Sequence, residues 1–182
     1  MESSFETIKQ QQKATWDKFS PGWKKWDEYT MNFLAPMGDA IIAALHLKPS
    51  DHVLDIATGT GEPGLSIARI TTSGKVIGTD LSDGMLEVAK ERAAAQGITN
   101  YETVASDVTS LPFADNTFDA ISCRFGLMFF PDMQRAAKEM ARILKPGGHI
   151  AIAVWGEPKD NPWATTTMGT IYEVLKDRKS VV

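Results

Sequence analysis

Val53-Leu54-Asp55-Ile56-Ala57-Thr58-Gly59-Thr60-Gly61-Glu62-Pro63-Gly64 lies in the first half of a chain of 182 residues. Val53 to Ile56 is an apolar run broken by one acid, the pattern of a strand buried on both faces of a parallel sheet. Three glycines follow within six residues. Leu65, Ile67 and Ala68 then open a helical pattern, with Pro63 where a first-turn proline is tolerated. Strand, glycine turn and helix make a loop whose backbone a ligand can approach closely.

The spacing Gly59-x-Gly61-x-x-Gly64 satisfies the dinucleotide pattern, and Asp80 stands where that pattern expects a ribose-binding acid. Alone this is a weak signal. Glu62 sits inside the turn, where a pyrophosphate needs bare N–H groups and no competing charge. Asp55 adds a second carboxylate at the end of the strand beneath. A phosphate-free ligand carrying positive charge suits such a loop better. S-adenosylmethionine has an ammonium, a sulfonium and a ribose, and the loop favours it. Each acid also has a structural reading, since an Asp in a strand can cap a neighbouring turn and one after a strand can cap the next helix. Asp55, Asp80 and Asp107 each fall at or near a strand's carboxyl end, the edge on which open α/β sheets bind ligands. That shared placement favours a site.

The length suits one domain with a real core, and 43% apolar with 23% charged residues is ordinary for a globular protein. A formal charge of −4 argues against nucleic acid as an obligate partner. Apolar runs such as Phe125 to Phe130 are far too short for a membrane span, and the polar, acid-containing start does not read as a signal or transit peptide. The single cysteine, Cys123, gives neither an internal disulfide nor a metal-ligand pattern, so no metal is expected. The expectation is a cytoplasmic α/β protein.

Residues 2 to 14 read as an exposed helix. Trp16, Trp23 and Trp26 then crowd a short stretch ending at Tyr29 and interrupted by Ser20-Pro21-Gly22, a turn signal. Large, partly polar side chains of this kind suit a lid, with Trp23, Trp26 and Tyr29 as its candidate residues, or simply anchor an arm. Asp39 to Leu47 reads as a short amphipathic helix. Lys75 to Thr79 and Tyr101 to Ala105 read as strands, separated by a helix capped by Ser82 or Asp83. Phe118 to Cys123 is a fourth strand, and Met133 to Leu144 shows helical spacing. Pro146-Gly147-Gly148 is expected to turn into a fifth strand, Ile150 to Trp155, with a last helix opening at Asn161-Pro162. Strands alternating with helices imply a Rossmann-like, doubly wound sheet of mainly parallel strands with right-handed crossovers.

From about residue 40 to 156 the chain resembles class I S-adenosylmethionine-dependent methyltransferases, nearest the methyltransferase type 11 group and the quinone-biosynthesis C-methyltransferases. Val53 to Gly64, Gly78-Thr79-Asp80-Leu81-Ser82, Ala105-Ser106-Asp107-Val108 with Leu111-Pro112-Phe113, Phe118 to Pro131, and Arg142 to Gly148 carry the resemblance. Each is moderately specific; five in register are strong. The resemblance implies strand order 3-2-1-4-5 and a cofactor held by Asp55, Ala57, Gly59, Thr60 and Gly61 at its methionine part. Asp80 would bind the ribose, Leu81 and Met85 would cover the adenine, and Asp107 with the Val108 amide would bind the adenine edge. Arg124 would meet the cofactor through its backbone. With the aromatic N-terminal stretch read as an arm or lid over residues 1–37, the cofactor domain is expected over 38–182. Members usually continue into two further strands, so the chain reads as truncated, with its fifth strand left as an edge that invites self-association.

Methyl transfer needs positioning and desolvation, and a base only if the nucleophile does. His52 and His149 precede strands and His46 ends a helix, so no histidine is placed as a base, and no catalytic residue is named. Two rival readings stand beside a small-molecule methyltransferase: an NAD(P)-dependent oxidoreductase using the same glycine spacing, and a non-catalytic cofactor-binding or assembly module.

Overall fold

A computed structural model describes residues 2–179. Five parallel strands form one sheet: β1 (His52–Ile56), β2 (Lys75–Asp80), β3 (Tyr101–Ala105), β4 (Phe118–Arg124) and β5 (Leu144–Ala153). Their order is β3-β2-β1-β4-β5, as expected from the sequence. The helices are α1 (Glu2–Lys25), α2 (Asp27–Leu45), α3 (Gly64–Ile70), α4 (Asp83–Ala95), α5 (Met133–Ile143) and α6 (Pro162–Lys179).

Strand periodicity of two divides the core. Val53, Val76 and Ala120 face α2, α3 and α4, where Ile41, Leu45, Leu65, Ile67 and Ala89 pack against them. Leu54, Ile56 and Ile121 face the other way, onto Ala136, Met140 and Ile143 of α5 and the loop residues Val108 and Leu111. β1 is central, so the turn after it opens at the middle of the sheet's carboxyl edge, where the strand order reverses. Ser82 caps α4 by accepting from the Met85 N–H at 3.1 Å, and α4 gives way to Gly97, whose φ is 67°.

Three expectations change. The turn expected at Ser20-Pro21-Gly22 is absent, because α1 runs straight through it. Pro21 has no N–H for the Asp17 carbonyl, four residues back, and the Ser20 hydroxyl donates to that carbonyl at 3.0 Å instead. The helix expected from Asp39 begins at Asp27, so α2 crosses residue 37 and carries Pro36 inside it. Pro146-Gly147-Gly148 does not precede β5 but lies within it. There the register against β4 jumps from Phe118↔Leu144 to Ala120↔His149, and Gly147 at φ 80° supplies the bend.

Candidate functional site

The glycine turn is held from beneath by Asp55. Its carboxylate is fully buried and accepts from the Ser122 hydroxyl at 2.6 Å, the Thr58 hydroxyl at 2.6 Å and the Gly64 N–H at 3.1 Å. Burial pushes its pKa up to about 6, against the pull of these donors and of the nearby Arg124 charge. Gly61, at φ 110°, folds back so that its N–H meets the Thr58 carbonyl at 2.9 Å. A side chain there would lie 2.8 Å from Leu65 Cδ1, so only glycine fits.

Above the turn lies a cavity of about 350 Å³, within the range of small-molecule sites. The carboxyl ends of four strands converge on it: Ala57, Gly59 and Thr60 after β1, Asp80 ending β2 with Leu81 after it, Asp107 and Val108 after β3, and Arg124 ending β4. Met85 joins them from α4. Asp55, Gly61, Trp26 and Tyr29 do not. The Asp55 oxygens point into the protein and are occupied, and Gly61 supports the turn from behind. Trp26, at the corner between α1 and α2, is 60% exposed, and Tyr29 is 78% exposed. Continuing α1 through Pro21 turns those two rings outward. Trp16 and Trp23 take the inward positions, with Met31, Phe33 and Leu34 of α2.

Asp80 accepts the Gly59 N–H at 3.0 Å on one oxygen and the Ser82 N–H at 2.9 Å on the other, leaving each oxygen a second acceptor position. Burial raises its pKa. Burial acts the same way on Asp107, but the Lys9 ammonium, 2.6 Å from its carboxylate, and the Thr109 N–H at 2.8 Å hold its pKa below the usual range. Arg124 extends beside Leu34 and Met31, with contacts of 3.4 Å to a carbonyl and 3.1 Å to a thioether, and burial lowers its pKa.

Helices α1 and α2 close the roof. Lys13 donates to the Leu81 carbonyl at 2.9 Å and to Asp83 at 2.6 Å, and Asp17 accepts from the Ser82 hydroxyl at 2.6 Å and the Gly84 N–H at 3.1 Å. Asp27, opening α2, accepts from the Thr60 hydroxyl at 3.0 Å and pairs with Arg92 at 3.0 Å; Arg92 also donates to the Thr60 carbonyl at 2.7 Å. The sequence reading missed Lys13, Asp17, Asp27 and Arg92 in this role, as well as Lys9, Phe33 and Trp155. Trp155 stacks on Phe125, with centroids 4.3 Å apart and planes 13° apart, and Phe125 holds a left-handed φ of 59°. Such a conformation is costly for a bulky residue and tends to occur at ligand sites.

No histidine lines the cavity; the His46 and His149 rings meet edge to face elsewhere, with centroids 5.5 Å apart. Cys123 is buried, and desolvation pushes its thiol up to about 12. Among the described residues no three His, Cys, Asp or Glu side chains gather as a metal site, and no helix is long and apolar enough to cross a membrane.

Residues 53–148 match the family profile described as a methyltransferase domain. An uncharacterised protein of Mycobacterium tuberculosis is 40% identical over 122 residues, covering 67% of this chain and 43% of that protein. A demethylmenaquinone methyltransferase of Bacteroides fragilis is 35% identical over 153 residues, covering 84% of this chain and 57% of that one. The crystal structure of a SAM-dependent methyltransferase from Aquifex aeolicus superposes with a TM-score of 0.62 at 26% identity, covering 75% and 77% of the two chains. The chain thus spans about half the length of the curated relatives it matches.

Proposed function

The chain belongs to the family of methyltransferase domains, and from that premise we propose that its cavity binds S-adenosylmethionine for methyl transfer to a small-molecule acceptor. One observation carries the reading: four strand ends meet at one cavity with Asp80 and Asp107 on its wall and the carboxylate of Glu62, hostile to a pyrophosphate, beside the turn. The donor set fits the group. Asp80 has acceptor positions left for two ribose hydroxyls, Leu81 and Met85 offer apolar cover for a purine face, and Asp107 offers a carboxylate to an exocyclic amine. Above Gly59, at φ 55°, nothing lies within 4 Å of where a side chain would stand, so the backbone there is open to the methionine part.

When bound, the cofactor's sulfonium supplies an electrophilic methyl group for in-line displacement by the acceptor. The chain's own residues act by placement: the turn and Asp80 fix one end, and Asp107 with Val108 the other. Trp16, Trp23, Phe33 and Phe129 exclude water from the apolar part, where a flat acceptor fits. In this reading α1 and the first part of α2, residues 1–37, are the lid of a cofactor domain spanning 38–182.

Calorimetric titration with S-adenosylhomocysteine, beside NADH and repeated on Asp80→Ala, tests the cofactor. Binding of the homocysteine compound that the variant loses is the expected result; binding of NADH instead sinks it. Transfer from labelled cofactor to quinol-type acceptors tests the substrate class, and retained binding without transfer to any acceptor would favour a non-catalytic module. We further propose that β5, the edge strand opposite β3, pairs copies of the chain. Ile150 and Ile152 of β5, and Val154 just after it, are each at least 39% exposed. A concentration-independent monomer mass by light scattering refutes that. A cytoplasmic location, in keeping with a lone thiol, is checked by fractionation.

A further inference from the structure

The glycine turn is also held from two strands away. Tyr101 opens β3, the edge strand, and β2 lies between it and β1. Gly78 in β2 makes the passage. A side chain there would fall 2.2 Å from the Tyr101 hydroxyl, so the ring crosses β2 only because that position is bare. The hydroxyl reaches Thr58 Oγ1 at 2.9 Å. Thr58 gives its own hydrogen to Asp55 at 2.6 Å, so Tyr101 is the donor to Thr58. The same ring lies 2.9 Å from where a side chain on Gly64 would stand, and so packs beneath both ends of the turn.

Asp55 pairs in register with Gly78 on one side and Ser122 on the other. Tyr101, Thr58, Asp55 and Ser122 therefore form one buried, fully hydrogen-bonded seam across four neighbouring strands, none of them more than 7% exposed. A phenylalanine would fill the same volume. A buried hydroxyl is costly without a partner, and a satisfied network specifies one arrangement of the groups it joins.

We propose that Tyr101 is a positioning residue for the cofactor turn: its hydroxyl fixes Thr58, and through Thr58 the backbone of Ala57 to Gly61. Tyr101 is not on the cavity wall and touches no ligand. It acts through the shape of the turn. The consequence for ligand affinity rests on the cavity's being the S-adenosylmethionine site; the consequence for the turn itself does not.

The test compares Tyr101→Phe, Thr58→Val and their combination with Ile143→Val, a core change on the far face of the sheet. Two quantities are read: S-adenosylhomocysteine affinity by calorimetry, and hydrogen exchange of peptides covering residues 57–66 in the ligand-free protein. Tyr101→Phe is expected to weaken binding roughly five- to tenfold, the loss of about one net hydrogen bond. It should speed exchange across the turn, and the double variant should be no worse than Thr58→Val alone. Ile143→Val should lower the melting temperature while moving neither readout. If Tyr101→Phe behaves like Ile143→Val, the proposal is overturned. If the parent protein binds no S-adenosylhomocysteine, the cofactor reading fails and the exchange arm still decides: faster exchange upholds the role of Tyr101, and unchanged exchange refutes it. If Tyr101→Phe folds poorly, Thr58→Val, which removes the acceptor of the Tyr101 hydroxyl, must speed exchange across the turn, and unchanged exchange refutes the proposal.

Discussion

The Lys9 ammonium on α1 lies 2.6 Å from the Asp107 carboxylate after β3, joining the first helix to the acid that the sequence places at a ligand's edge. Both side chains are mostly covered, at 20% and 23% exposure. The contact raises the Lys9 pKa, chiefly through its hydrogen bond to Asp107, and holds that of Asp107 low against burial. An acid held low contributes stability above its unfolded pKa near 4, lost as pH falls through the folded value; a lysine held high contributes below about 10.4, lost as pH rises through its folded value. Lys9→Met should therefore cost about 0.5–1 kcal/mol at pH 7 and close to nothing near pH 2. Urea unfolding of both proteins at the two pH values measures this. An equal cost at both would mean that the lysine stem, not its charge, matters.

Asp55 titrates in the opposite sense. Its folded pKa of about 6 exceeds the unfolded value near 4, so the unfolded chain releases the proton first and stability falls as pH rises from 4 to 6. The fall is on the order of 3 kcal/mol, and it levels off above the folded pKa. Asp55→Asn removes this titration. Its amide also sets a donor against the donors of Thr58, Ser122 or Gly64, at a cost of about 3 kcal/mol. The stability gap between the two proteins should narrow as pH rises through that window. A gap independent of pH would show that Asp55 does not change its protonation there.

Two tryptophans close in sequence part company in space. Trp23 lines the cavity and packs 6.4 Å from Trp16, while Trp26 is 60% exposed and has Lys25 over its ring. Trp23→Ala should weaken ligand binding roughly fivefold through lost apolar cover, and Trp26→Ala should leave it within about twofold. Fluorescence titration reads this directly, since quenching should survive loss of Trp26 and diminish without Trp23. Equal effects from both would place the lid differently from this arrangement.

The sheet was legible because its signals are local. Apolar runs leading to Asp80, Asp107 and Arg124 mark strand ends, Ser82 marks a cap, and a helix follows each strand except β3, which a loop joins to β4. The inner half of the cavity was legible for the same reason. Its roof was not. Lys9, Trp16 and Phe33 reach the site only because two long helices dock across the sheet edge, and that docking depends on Lys13, Asp17 and Asp27 meeting groups more than thirty residues away. Asp55 lies behind the turn and off the cavity wall for a readable reason. Alternation puts it on the side of Val53, beneath a turn whose N–H groups need an acceptor, and burial there excludes it from the ligand's side.

Ser20-Pro21-Gly22 misled because a turn signal can be cancelled by one neighbouring hydroxyl. Pro21 leaves the Asp17 carbonyl without its helical donor, and Ser20, only 6% exposed, supplies one at 3.0 Å. Ser20→Ala should then cost about 1 kcal/mol in the native background, since it orphans a half-buried carbonyl. Pro21→Ala restores the N–H that the carbonyl lacks, and with it present Ser20→Ala should cost little. A four-protein cycle by urea unfolding measures the coupling, expected to be at least about 0.5 kcal/mol. Helical circular dichroism should fall only for Ser20→Ala in the presence of Pro21, because only there is α1 free to break at Asp17. Strictly additive costs would mean that α1 crosses its proline by packing against α4, and that the Ser20 hydroxyl contributes nothing to the crossing.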